Sequence, residues 1–427
     1  MTSTERRAGR RLTDRLFIRG APDFRYLWGA STISYAGDGM SAVVLPLLAA
    51  TLSSDPKVVA AVVAVRWLPW VLFALPAGAL ADSWNRVRVM WICDVVRAAL
   101  TAALAVSVLA GVATIPLLMV AAFLLTCAGI LFDSSSVAVL PKMTGRDPDR
   151  IRAANSRLMT SQTLTLDFLG PPIGGLLFGW HRMLPLVGDA LSYLVSAALL
   201  RRMRGDYRVS NPRAMSLGTV RASLAEGLRW LLRHPLLRSL TVLSGGGNLA
   251  NFAQSSILVL FVERFFAIGP VGFSLLLASG SVGAFAGGLA APRIDRLLGT
   301  APTIRLTLLI SCGGSLLLGF ATEAWMPFVI VVLTGFAVTV RNVTQVSLRQ
   351  SQTPDDMLGR VNGVHRLVTY GAIPIGAAAG GLLAASAGLR AAMFLASGIF
   401  AALAVFATCT VTAARVVSQP DEEGRAS

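Results

Sequence analysis

The chain has 427 residues, of which 54% are hydrophobic and only 14% charged, and it carries a formal net charge of +16. A composition this apolar lies outside the range of soluble domains and places the chain in a membrane. The basic excess does not read as a nucleic-acid footprint, because it falls in the gaps between apolar segments of about 20 residues, the length that crosses a ~30 Å hydrocarbon core as a helix.

A bilayer gives backbone groups no water to bond, so only helices or a closed barrel can cross it, and these segments are too long and too continuously apolar for barrel strands. An all-α polytopic membrane protein is therefore expected. In chain order, residues 1–25 form a basic tail with no short apolar core and cleavage site, so no removable signal peptide is expected. Spans are predicted at 26–51, 58–81, 89–110, 114–138, 155–179 and 184–203, then at 237–261, 271–291, 303–321, 326–346, 363–387 and 391–414, twelve in all. Residues 204–236 form the linker between the two sets and 415–427 a tail. In the linker, Leu217, Val220, Leu224, Leu228 and Leu231 recur at helical spacing opposite arginines, the pattern of an amphipathic helix on a membrane surface.

An Asp or Arg at a helix centre costs about 2.5–3.5 kcal/mol on insertion scales, so each needs a partner, a wet cavity or a task. The first span carries Asp38 at mid-depth and the second carries Arg66 at similar depth, an expected pair that either couples to a proton or is a static ion pair. Asp94 and Arg97 share one face of a third span read as peripheral, where a structural pair is expected. On the fifth span the run TLDFLGPPIGGLLFG (165–179) is oily, helix-breaking and ionisable at once, and its Asp167 is either a proton site or a hydrogen-bond acceptor for Ser161, Thr163 or Thr165. Asp133 on the fourth span and Arg341 on the tenth are repeat mates of opposite sign, expected to meet when an inner gate closes. Asp189 is placed near the outer end of the sixth span, capping or hydrated there.

For a solute, Asn248, Asn251 and Ser255 stand three and four apart on the seventh span with Gln254 beside them. Trp67 and Trp70, with Tyr35 and Phe132, are candidate aromatic walls. Such a lining favours bulky amphipathic molecules over sugars, although helix packing explains each residue alone equally well. The four cysteines lie singly in apolar segments and the three histidines form no ligand set, so neither metal nor cofactor is expected. Neither a phosphate-cradling Gly-rich loop nor a catalytic constellation is visible; the chain is expected to be no enzyme and not to be driven directly by ATP.

Alternate connections sort by charge. One side receives the arginines of the N-terminal tail, Arg86 and Arg88, Lys142 to Arg157, the 201–238 stretch, Arg293 to Arg305 and Arg349 to Arg366, while the other holds only Lys57, Arg182, Arg264 and Arg390. By the positive-inside rule both termini and the linker are expected to be cytoplasmic. The halves 26–203 and 237–414 also repeat: a displacement of roughly 207 residues sets Asn155 on Asn362 and Gly170 near Gly376. Parallel six-helix repeats with a central linker are the layout of a transporter that rocks about a midplane site.

The stretch PAGALADSWNRVRV (76–89) resembles the loop 2–3 signature of the major facilitator superfamily, with Gly78, Leu80, Asp82, Arg86 and Arg88 in the matching places, Ser83 where a basic residue is usual and Asn85 where glycine is usual. The second-half copy, GGLAAPRIDR (287–296), has Ala291 in the aspartate position. FRYLW (24–28), EGLRWLLRHPLLR (226–238) and TPDDMLGRVNG (353–363) are similar to the bacterial branch that contains enterobactin exporters and macrolide-efflux proteins. This resemblance implies a first span lining the central cavity and a cytoplasmic hinge role for Gly78, Asp82, Arg86 and Arg88. GPPIGG, with Gly170, Pro171, Gly174 and Gly175, resembles the fifth-helix signature of drug/proton antiporters. The fourth span lacks the arginine that many proton antiporters of the superfamily carry.

The resulting expectation is a monomeric, proton-driven exporter of a small amphipathic compound such as an antibiotic, siderophore or secondary metabolite. The other reading is an importer or uncoupled facilitator on the same fold, because fold alone does not fix direction.

Overall fold

The structure is a computed structural model that describes residues 23–73, 84–145, 147–205, 207 and 217–411. Gly78 and Asp82 lie outside the described residues, as do most of both tails and residues 208–216 of the linker. Helices make up the described chain, with no strand among the described residues: α1 Phe24–Leu52, α2 Pro56–Phe73, α3 Arg86–Leu109, α4 Ile115–Met143, α5 Pro148–Gln162, a π-helical segment Thr163–Leu169, α6 Gly170–Trp180 and α7 Leu184–Arg201, followed by α8 Leu217–Arg233, α9 Pro235–Ser255, α10 Leu258–Phe266, α11 Pro270–Leu298, α12 Thr300–Phe320, α13 Met326–Ser351, α14 Asp355–Ala387 and α15 Leu389–Thr410.

Ten of these helices are long and apolar enough to cross a membrane, and eleven if α9 and α10, bent by 40° at Ser256 and Ile257, count as one span. The expected count of twelve is not reached by this measure. The run from Pro148 to Trp180 is divided by its π segment into pieces too short to qualify. The sequence explains the division. Along the run, the buried residues Ala154, Leu158, Ser161 and Thr165 step by three or four, as an α-helix requires, and then the step to Gly170 is five before Gly174 resumes at four. A π turn, with its i→i+5 bonds, absorbs the surplus residue and keeps one face buried.

The described chain divides into two compact units. The first holds α1 up to Val44, Phe73–Ala113 and the chain from Leu124 to the linker; the second holds Leu45–Leu72, Thr114–Phe123 and the chain beyond the linker. In the first unit α3 packs on α7, and a core of Phe24, Leu27, Met90, Phe132 and Leu140 is sealed from solvent. Asp23 ties the start of α1 to the loop after α7, accepting from the Arg204 and Gly205 amides at 3.1 and 2.9 Å and from the Tyr207 hydroxyl at 2.7 Å. Burial and then the Asp23 carboxylate push the Tyr207 phenol above its ordinary value, so it remains a donor there. Asn85, where glycine is usual in the loop motif, caps α3 by accepting from the Val87 and Arg88 amides.

In the second unit α11 packs on α13, α9 on α14 and α12 on α15. The amphipathic linker helix α8 docks on the start of α14: Leu231 is enclosed with Met357, Val361 and Val364, Gly227 lies against the Arg360 backbone, and Glu226 accepts from Arg360 at 2.6 Å. Its apolar stripe thus has a protein partner, where periodicity alone predicts a membrane surface.

The tightest seams in both units are lined by glycine. In the first, a Cβ added at Gly170 would fall 2.5 Å from Gly39 Cα and 2.8 Å from the Thr165 carbonyl oxygen, and one at Gly174 would fall 2.8 Å from Met40 Cα. In the second, a Cβ at Gly376 would lie 2.9 Å from Leu249 Cα and one at Gly380 2.7 Å from Ala253 Cα. The repeat that aligns Gly170 with Gly376 therefore has a physical content: each unit brings two backbones into contact at the corresponding place, as small residues permit in membranes. Substituting Gly170→Ala should destabilise the detergent-solubilised protein by about 1–3 kcal/mol through overpacking, read as a lowered melting temperature. Gly398→Ala, at a position with nothing within 4 Å, should leave the melting temperature unchanged.

Candidate functional site

The first unit encloses a polar cluster inside its membrane-spanning helices. Asp38 of α1 pairs with Arg97 of α3 and also accepts from the Tyr193 hydroxyl of α7 at 2.6 Å. The same guanidinium reaches Ser34 Oγ at 3.2 Å and Asp94 Oδ1 at 3.5 Å, and it lies 4.1 Å above the Tyr193 ring. One turn beyond Asp38, Ser41 donates to Asp189 of α7, which is fully buried. Gly37 leaves room for that carboxyl, since a Cβ there would run into Asp189 and Ser192.

Helix periodicity builds this arrangement. Ser34, Asp38 and Ser41 share one face of α1, Asp94 and Arg97 one face of α3, and Asp189 and Tyr193 one face of α7. The three faces converge because α3 packs on α7 and the Gly39–Gly170 seam holds α1 beside α6. Arg97, with 5% of its side chain exposed, is the single cation bonded within the cluster, whereas Asp38 at 22% is its most open member. Among the described residues Asp94 Oδ2 and Asp189 Oδ1 have no hydrogen-bond partner. Three carboxylates against one guanidinium would leave an excess of two negative charges in a medium that solvates neither.

Several sequence expectations change here. The ion-pair partner found for Asp38 is Arg97; the depth count that offered Arg66 overlooked a long side chain reaching inward from the third span. Arg66 sits half-buried on α2, in the second unit. Asp94 and Arg97 do pair, but as part of a larger buried group and not on a peripheral face. Asp189 does not cap a helix end: it is at zero exposure against α1. Asp167 stands exposed on the π segment; of the hydroxyls offered to it, Thr165 donates to the Ser161 carbonyl at 2.8 Å, while Ser161 accepts from Trp28 at 2.6 Å and keeps its own proton to donate. Tyr35 donates to Asp133 at 2.9 Å, and Phe132 is 1% exposed within the core, so neither ring stands as an open wall. Arg86 donates to the Ala138 carbonyl on α4, and Arg88 is exposed. Pro171 and Gly175 are buried on α6.

The second unit gathers the other candidates. Trp67 lies edge-on to Phe252, with centroids 5.3 Å apart, and 6.0 Å from Tyr370, while Trp70 lies 5.3 Å from Tyr370. All four rings are half-buried, and Arg366 lies 5.4 Å from the Trp70 ring centroid. Asn248 donates to the Thr369 carbonyl at 2.9 Å, and Asn251, Gln254 and Ser255 follow half-buried up to the 40° bend that ends α9. Phe252 and Tyr370 escaped the sequence reading because nothing but the fold brings α2, α9 and α14 together. Arg341 is enclosed within this unit, donating to Ser311 at 3.3 Å. No group of three or more metal-ligating side chains occurs among the described residues.

Residues 20–423 match the family model of the transmembrane secretion effectors. The chain is 26% identical to the multidrug efflux pump Tap of Mycolicibacterium fortuitum over 374 residues, 85% of this chain and 89% of that protein. It is also 26% identical to the enterobactin exporter EntS of Salmonella typhimurium over 373 residues, 84% and 85% of the two chains. Among solved structures, the nucleoside transporter NupG superposes with a TM-score of 0.72 at 13% identity, covering 91% of this chain and all of that one. A bacterial homologue of the iron transporter ferroportin in its inward-facing state superposes with 0.69 at 16% identity, covering 91% and 98%. The backbone is thus the major facilitator fold, in agreement with the loop motif.

Removing Arg97 would leave its carboxyls buried without a cation. Arg97→Gln should therefore cost about 3–5 kcal/mol, seen as a lowered melting temperature, and adding Asp38→Asn should recover part of the loss. A wild-type melting curve for the single variant would rule out a structural ion pair.

Proposed function

The chain belongs to the transmembrane secretion effector family of the major facilitator superfamily, and from that membership we propose that it exports a small amphipathic compound across the bacterial plasma membrane by alternating access, driven by inward proton flow. With the bent pair α9–α10 and the run Pro148–Trp180 each crossing once, ten spans become twelve, and the charge pattern puts both termini in the cytoplasm.

The observation that carries the proton reading is the imbalance around Arg97. One guanidinium balances one carboxylate, so the remaining two of Asp38, Asp94 and Asp189 become neutral by binding protons. Asp38 is the most open member and shares Arg97 with Asp94; it is the group through which protons enter and leave. Gly39 and Met40, the next residues along α1, rest on Gly170 and Gly174, so sliding at that seam would displace Asp38 from Arg97 and change which carboxyl needs its proton. The missing cation of the fourth span is supplied from the third. A proton moving down the potential releases ~2.3 kcal/mol per 100 mV, enough for about fifty-fold accumulation.

The half-buried rings of Trp67, Trp70, Phe252 and Tyr370 beside Asn248 and Asn251 fit an amphipathic solute with an aromatic part. Tap and EntS, named for efflux of drugs and of enterobactin, favour export over import.

Cells stripped of their own exporters and expressing this chain should accumulate less of a fluorescent amphipathic dye, with ethidium and fluorescein as cationic and anionic probes, and a protonophore should abolish the difference. Asp38→Asn should lose uphill export while retaining dye binding. Protonophore-resistant efflux, or undiminished export by Asp38→Asn, would refute the coupling.

A further inference from the structure

The second unit buries a cation that no carboxylate answers. Arg341 on α13 is 3% exposed, and its one hydrogen bond among the described residues is the 3.3 Å contact from Nη1 to Ser311 Oγ. The Phe400 ring lies 5.6 Å from the guanidinium carbon, and among the described residues no carboxylate stands within ion-pair distance. Nε has no acceptor among the described residues. One turn further along the same helix, Gln345 is 2% exposed, and its Nε2 also lacks an acceptor, while its Oε1 is held by the Ser244 hydroxyl at 2.6 Å. That bond fixes the amide with its donor end unanswered. Nη2 of Arg341 faces Gly247 of α9, where a Cβ would fall 3.1 Å away, so any side chain there would crowd this edge of the guanidinium.

A buried charge inside a membrane needs a counter-ion, and buried donors need acceptors. Arg341 and Gln345 together present donors and no acceptor, on one face of one helix and beside the polar residues of α9. We propose that Arg341 and Gln345 form a binding site for the carboxylate of an organic acid, so that the exported compound carries an acidic group. A guanidinium presents paired donors that match the two oxygens of a carboxylate. Phe400 beneath it and the apolar surroundings favour an anion attached to an oily body over a strongly hydrated inorganic ion. The Asn248 bond to the Thr369 carbonyl joins α9, beside Gly247, to the stretch of α14 that carries Tyr370. The role in transport rests on the export reading above, but the binding site does not, and binding is what the test measures.

The probe is benzoate, with benzamide as its neutral isostere, added in the millimolar range to the purified full chain in detergent at constant ionic strength, with gluconate as the balancing anion. Benzoate should raise the melting temperature of the wild type by about 2 °C, and benzamide should not. Arg341→Gln should abolish the response, Arg341→Lys should keep a reduced one, and Gly247→Ala, which covers Nη2, should weaken it. The proposal is overturned if benzoate leaves the wild type unmoved, if Arg341→Gln responds fully, or if chloride alone produces the whole shift, which would assign the site to an inorganic anion. Loss of this response with protonophore-sensitive dye export intact would overturn the acidic-substrate inference alone; loss of export with the benzoate response intact would overturn the exporter reading alone.

Discussion

Inside a bilayer a charge must be met by an opposite charge or by a proton, and in the first unit one guanidinium pairs with two carboxylates while a third lies a turn away. That constraint organises everything around it. Arg97 reaches inward from α3, Asp38 and Ser34 turn toward it from α1, and Tyr193 supplies both a hydroxyl for Asp38 and a ring face for the cation. Asp189 is drawn to Ser41 a turn away. A cluster with more acids than bases has no electrically neutral state without bound protons. In the proposed cycle its protonation would follow the spacing of three helices, the kind of linkage by which an ion gradient can drive a conformational change.

The second unit poses the opposite problem with the same means. Arg341 and Gln345 leave buried donors without acceptors, while the first unit leaves Asp94 and Asp189 oxygens without donors. The two units share a repeat, visible in the paired glycine seams at Gly170 and Gly376, yet their polar interiors have diverged in sign. Such divergence suits the proposed exporter, in which one half would store protons and the other would hold the solute.

Much of this was legible in the sequence. Segment length and hydropathy gave the helical membrane fold, and the loop motif pointed to the superfamily. The spacing of Gly170 and Gly376 exposed the repeat before any seam was seen. Asp38 stood out because an aspartate at mid-span is costly wherever it faces. Its partner did not, since depth counting places Cα atoms and an arginine side chain spans several ångströms beyond its own. The same limit hid the convergence of Trp67, Phe252 and Tyr370, which lie on helices far apart in the chain. Asp189 was misjudged because a position near a predicted span end looks hydrated until the packing of α1 against it is known. Phe132 and Tyr35 show the converse: an aromatic near a cavity-lining helix is as readily core as wall, and only burial separates the two.

The π segment Thr163–Leu169 has a further consequence. It carries one residue more per turn than the α-helices on either side, and that surplus alone lets Thr165 and Gly170 lie on the same side. An α-helix turns by about 100° per residue, so losing the extra residue would wheel α6 by more than a quarter-turn about its own axis and carry Gly170 and Gly174 off α1. Wide turns of this kind occur mostly as single turns inside α-helices and often at functional sites. The run from Pro148 to Trp180 is in this sense a shaft with slack wound into it, and Asp167 rides on the slack.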